Sequence, residues 1–154
     1  MRKRPGPKTK KDLLDKDAEV LKAYIGLMRA HGDFERLVKR DANQYDLNVT
    51  EFSVLELLYN RGPQPIQQVG NRILIASSST TYVIDKLCSK GYVMRVPDTN
   101  DRRVTFAEIT EQGKDLMSKI YPEHRKHLLE VLSSLNIDEV LEFKRILKKI
   151  TRYE

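Results

Sequence analysis

The side chains with chemistry to offer crowd into one stretch of the chain. Ser77, Ser78, Ser79, Thr81, Tyr82 and Lys86 fall on the outward positions of a helix predicted from Ser77 to Lys90. Small hydroxyls, one phenol and one ammonium are groups sized for base edges, and a helix fits a major groove about 12 Å wide. Just upstream, a short segment offers Gln67, Gln68, Asn71 and Arg72, whose amides and guanidinium bond phosphates or bases. Downstream, Arg102 and Arg103 end the polar turn PDTNDRR, where guanidiniums can reach a minor groove, with Asp101 placed to brace Arg103. Nothing in the set is a nucleophile beside a base. The chain shows no paired carboxylates, no Ser-His-Asp order and no Cys-His neighbours at a site-like position, so catalysis is not expected. It also lacks GxGxxG and GxxxxGK[ST] loops, and no cofactor is expected.

Two lesser constellations stand apart. Cys88, the only cysteine, lies four residues after Ile84, close to an apolar stripe. A core or half-buried thiol is the plainer reading. A redox or electrophile sensor is the sharper one, favoured by Lys86 and Lys90 and opposed by the helix C-terminus. His124 and His127 sit three apart beside Glu123, a spacing that can share a metal ion. With no third ligand in view they are expected to be solvated, and no metal site is assigned. A lone cysteine also excludes an internal disulfide framework.

Charge supports the first set. Of 154 residues, 28 are Lys or Arg and 22 are Asp or Glu, a net of +6. Residues 1–11 contain six cations and no acid, residues 12–60 net −4, residues 61–103 net +4, and residues 104–154 are neutral. The folded body is therefore neutral, and its one electropositive segment coincides with the polar helix and the arginine turn. The basic start is not followed by an apolar stretch, so no secretory signal is expected, and no apolar run is long enough to span a membrane.

The elements that must position these groups follow from periodicity. Residues 1–11, with two prolines and a glycine, read as a flexible basic arm. Residues 12–46 carry one long helix. Val20, Tyr24, Leu27, His31, Phe34 and Val38 form one stripe, and Leu14, Ala18, Leu21, Ile25 and Met28 form a second. That face is wider than one small domain covers and suggests a partner chain. His31 reads first as a satisfied core histidine, and Phe34, Phe52 and Tyr59 as core aromatics. Thr50 is the expected N-cap of the next helix, which Arg61-Gly62-Pro63 stops. A short helix from Ile66 to Ile73 and the polar helix follow, closed by Gly91. The period then becomes alternating: Tyr92–Val96 and Val104–Ile109 read as a two-stranded hairpin around the basic turn. Thr110 caps a further helix that Pro122 is expected to kink or break, and Asn136–Asp138 separates a last one.

Helix, short helix, helix and basic hairpin make a winged helix-turn-helix. The expected fold is mostly α with a small β-hairpin wing. Its DNA-binding lobe is residues 47–109, set between a dimerisation helix at 12–46 and C-terminal dimerisation helices at 110–154. On TEFSVLELL, GPQPIQQVGNRI, SSSTTYVIDKLCSKGYVMR and DTNDRRVTFAEITEQG, the sequence resembles the MarR family of bacterial transcriptional regulators. The D-x-R element (Asp101, Arg103) with the strand and T-x-x-G behind it is the most specific part of the match. The resemblance implies a cytoplasmic, nucleoid-associated homodimer on double-stranded DNA with a pseudo-palindromic operator. It also implies a repressor released by a small effector, aromatic or phenolic if the quinone-responsive branch is the right one. The implied effector crevice lies between the dimer helices and the DNA lobe, with His31, Phe34, Phe52 and Tyr59 as candidate lining. Alternatives are a thiol- or zinc-triggered regulator of the same fold and a winged-helix protein–protein adaptor. The sequence departs from the family where Tyr82 replaces a frequent basic residue, in its longer arm, and in a first helix without cysteine.

Overall fold

A computed structural model describes residues 10–73 and 77–151. The element order is α1 (Lys10–Asn43), α2 (Val49–Arg61), β1 (Gln64–Pro65), α3 (Ile66–Ile73), α4 (Ser77–Ser89), β2 (Val93–Pro97), β3 (Thr105–Ile109), α5 (Glu111–Val131) and α6 (Ile137–Thr151). The basic arm lies mostly outside the described residues. Contacts divide the chain into two units, residues 1–38 and 39–154. Among the described residues, no helix is long and apolar enough to cross a membrane.

The first unit is the longer part of α1, and its apolar stripe is bare: Val20, Leu21, Tyr24, Ile25 and Met28 are all exposed. His31 is exposed as well, against the expectation of a core histidine.

The second unit has a conventional core. Phe52, Val54, Leu55 and Leu58 of α2 meet Val69 of α3, Ile84 and Leu87 of α4, and Met117 and Ile120 of α5, all essentially inaccessible. Burying a side chain of this size contributes about 1.5–3 kcal/mol, and four helices share the benefit. α6 is different. None of its residues is buried, and Ile137, Leu141, Phe143, Ile146 and Ile150 are exposed.

Local signals account for most of the boundaries, with corrections. The N-cap of α2 is Asn48 and not Thr50: Asn48 Oδ1 accepts from the Glu51 amide at 2.8 Å while Glu51 Oε2 accepts from the Asn48 amide at 3.0 Å. This reciprocal box satisfies two helix-end donors where a threonine hydroxyl would satisfy one. The same box, Asn136 with Glu139, opens α6. The expected hairpin of β2 and β3 forms, and a third strand joins it. β3 lies between β2 and the two-residue β1 in an antiparallel sheet, with Gln64 opposite Ala107 and Arg95 opposite Ala107 on the other side. Gln64 is buried and its amide donates to the carbonyls of Arg61 and Gly62, which ties the end of α2 into the sheet. Pro97 closes β2 opposite Thr105, at a strand end where its missing N–H costs little. Nor does Pro122 break the chain, since α5 runs through it. Gly91, at φ +79°, ends α4 in the left-handed region as expected.

A candidate nucleic-acid interface

α4 turns Val83, Ile84 and Leu87 inward and leaves Ser79, Thr81, Tyr82 and Lys86 on the surface. The side chains of Ser77 and Ser78 lie outside the described residues, although both belong to the helix. Tyr82 and Lys86, one turn apart, are not independent: the Lys86 ammonium stands 5.5 Å from the centre of the Tyr82 ring. That contact favours one posture for an otherwise flexible cation. On α3, Val69 and Gly70 face the core, whereas Gln67, Gln68, Asn71 and Arg72 are exposed beside α4. All these polar groups are exposed, and Gln67 of α3 and Thr81 of α4 border one cleft.

The wing tip is held from within. Asp101 Oδ1 accepts from the Arg103 backbone amide at 3.0 Å and pairs with the Arg103 guanidinium at 3.7 Å. The Asp101 carbonyl accepts from Val104, and Asp98 donates back to Val104. Asp101 thus shapes the turn chiefly through the backbone, and the Arg103 side chain stays almost fully exposed, at 94%. Arg102 is exposed beside it.

Helix and wing are bound to each other by a pair the sequence reading did not single out. Arg95 of β2 donates to Asp85 of α4 at 2.6 Å. The signal was present as an Asp-to-Arg spacing across Gly91, but only the fold shows that the hairpin turns Arg95 back onto α4. At the other end of α4, Lys90 donates to Glu51 at 3.0 Å and to the Asp46 carbonyl at 2.6 Å, fixing the helix to the start of α2.

The histidine expectation is overturned for His124, which is 1% exposed. Its Nδ1 lies 3.0 Å from Asp41 Oδ2, and its ring packs edge-on against Phe52 at 4.7 Å. His127 Nδ1 approaches the same oxygen at 3.1 Å, and Arg40 donates to Asp41 Oδ1 at 3.1 and 3.2 Å. The far nitrogen of His124 faces Glu56 at 4.0 Å. Burial raises the Glu56 carboxyl above its ordinary range and the His124 charge opposes that only in part. Asp41 was missed because the two histidines it meets lie more than eighty positions away in sequence. Among the described residues, no cluster of three or more such ligands is arranged to hold a metal ion.

Phe52, one of the candidate crevice residues, is wholly buried against His124. Tyr59 is partly exposed, stacks obliquely on Tyr121 at 5.7 Å, and borders a cleft of about 290 Å3 with Leu58, Pro63 and Ile109. Phe34 is half-buried in the first unit. Cys88 is half-buried, and burial pushes its thiol above the ordinary value against a weaker opposing effect of Arg95. A thiol held in its protonated form is a poor nucleophile. Oxidant is therefore expected to act equally on the DNA binding of the wild type and of Cys88→Ser. A response lost in the variant, followed by mobility shift, would overturn that expectation.

A polar helix set beside a braced basic wing defines a winged-helix DNA-binding protein. Residues 47–105 match the MarR family model. The chain is 45% identical over 130 residues to the HTH-type transcriptional regulator MhqR of Bacillus subtilis, covering 84% of this chain and 90% of that protein. It is 27% identical over 142 residues to PecS of Dickeya dadantii, covering 90% and 86%. Among solved structures, NadR in complex with 4-hydroxyphenylacetate superposes with a TM-score of 0.76 at 21% identity over the whole of both chains. A MarR variant from E. coli complexed with operator DNA superposes with a TM-score of 0.73 at 22% identity, covering 86% and 95%. The chain belongs to the MarR family and is a DNA-binding transcriptional regulator.

Proposed function

We propose that the protein acts in the cytoplasm as a homodimeric repressor that reads a pseudo-palindromic operator and is released by a small aromatic or phenolic effector. The observation that carries the reading is the exposed face of α4, with Ser79, Thr81, Tyr82 and Lys86, beside a wing whose Arg102 and Arg103 are exposed. The bare apolar faces of α1 and α6 favour a second copy as partner, because patches of this kind are seldom left in water. Two such subunits would place their recognition helices about 34 Å apart, one turn of DNA. The phenolic effector is supported by NadR, whose structure holds 4-hydroxyphenylacetate.

Selection of bound duplexes from random DNA, repeated with phenolic acids and quinones, tests the whole reading. Recovery of a palindrome that phenolic ligand suppresses is the expected result, and recovery of no palindrome would sink it. Replacing both Arg102 and Arg103 by alanine is expected to weaken operator binding at least tenfold and to flatten its salt dependence. Titration at several salt concentrations checks this, and an unchanged slope would remove the wing from the interface.

A further inference from the structure

If α4 lies in a major groove and the wing tip in the adjoining minor groove, one sugar–phosphate strand must cross the surface between them. That surface is not flat. It holds a cleft of about 280 Å3 lined by Ile66 and Gln67 of α3, Thr81 of α4, Arg95 of β2, Arg103 of the wing and Thr105 of β3. Two guanidiniums, two hydroxyls and an amide meet there, and no carboxylate lines the wall. Asp85 takes one Arg95 donor at 2.6 Å from the α4 side. That bond holds the guanidinium in place while leaving other donors of its planar fork available for a phosphate, the oxyanion whose geometry the fork matches. The Arg95 side chain is 37% exposed and so stays accessible to a ligand. Threonine hydroxyls and a glutamine amide are common backbone partners at protein–DNA contacts.

We infer that this cleft seats the DNA phosphodiester that passes between recognition helix and wing, with Arg95 as its anchoring cation and Thr81 and Thr105 as hydroxyl donors. The inference rests on the operator-binding reading above and adds Arg95 and Thr105 to the residues that touch DNA. A phosphate contact carries no base information, so its loss must weaken all sequences alike, whereas loss of a base contact must not.

The test compares full-length wild type with Arg95→Gln, Thr105→Val and Arg145→Gln on two duplexes, the selected operator and a random sequence. Arg145 pairs with Glu142 on exposed α6 and supplies the same change of charge elsewhere. Arg95→Gln is expected to weaken both duplexes by the same factor, about tenfold, and to lower the salt slope by about one per subunit. Thr105→Val keeps the shape a strand favours and is expected to weaken both about fivefold with the slope unchanged. Arg95→Gln behaving like Arg145→Gln would overturn the seat. So would a loss confined to the operator, which would make Arg95 a base reader. Failure of the underlying reading shows separately, as a wild type that does not prefer the operator over random DNA. Circular dichroism of each variant confirms that the fold is retained.

Discussion

Asp41→Ala is expected to lower the stability of the fold by about 2 kcal/mol, because it leaves the buried His124 ring without its hydrogen-bond partner. Asp41 is 4% exposed and is bonded by His124, His127 and Arg40, of which the His127 and Arg40 side chains reach solvent. His124, at 1% exposure, has Glu56 only at 4.0 Å on its other side. Asp41→Asn keeps the shape and one acceptor oxygen and is expected to cost less. Acid titration offers an independent check. Burial alone would raise the Asp41 pKa, but the bonds from His124, His127 and Arg40 outweigh it and hold the carboxyl below the ordinary value near 3.8. A depressed folded pKa contributes stability that is complete above the unfolded value and is lost as pH falls through the folded one. The wild type should therefore lose stability below about pH 4, and the difference between wild type and Asp41→Asn should shrink there. Denaturant midpoints at equal protomer concentration, from pH 3 to 7, decide the matter. A loss for Asp41→Ala under about 0.5 kcal/mol, within the range of an ordinary surface change, would show that the cluster stabilises nothing.

What the sequence disclosed and what it hid divide along the range of the forces involved. The polar face of α4, the stop at Gly91 and the Thr110 cap are local signals, each readable within a few residues. The Asn48 box was equally local, an Asn three places before Glu51, and a nearby threonine drew attention from it. β1 was not legible, since two residues that include a proline carry no alternation. Its existence depends on β3 offering a second edge. The pairing of Asp41 with His124 and of Asp85 with Arg95 comes from helix packing and from the hairpin's return, and no periodicity encodes either. Within the DNA face, the exposed side chains were foreseeable, but the cleft among Thr81, Arg95 and Thr105 exists only because α4 and the sheet are folded together.

Gly113→Ala is expected to cost about 2–3 kcal/mol, through overpacking at a site with no room for one methyl group. A Cβ built there would stand 2.3 Å from the Tyr92 carbonyl oxygen and 2.7 Å from the Ile109 side chain. The first of these is backbone and already engaged, since the Tyr92 carbonyl accepts from Thr110 at 3.0 Å. The Thr110 hydroxyl in turn donates to the Gly91 carbonyl at 2.6 Å and accepts from the Gly113 amide at 3.1 Å. Thr110 and Gly113 are therefore one device, which seats the first turn of α5 directly on the start of β2 and the end of β3. Relieving the clash means lifting α5 off the sheet and stretching those three bonds together. The wing is an extension of the same two strands, so the damage should reach DNA binding as well as stability. Thr110→Val, which removes the hydroxyl without adding a clash, is expected to cost about 1 kcal/mol. Thermal unfolding of both variants provides the comparison, with a fall of about 2–4 °C for each kcal/mol. If Gly113→Ala melts with the wild type, α5 is not seated on the strands as closely as 2.3 Å requires, and the coupling of helix to wing through Thr110 falls with it.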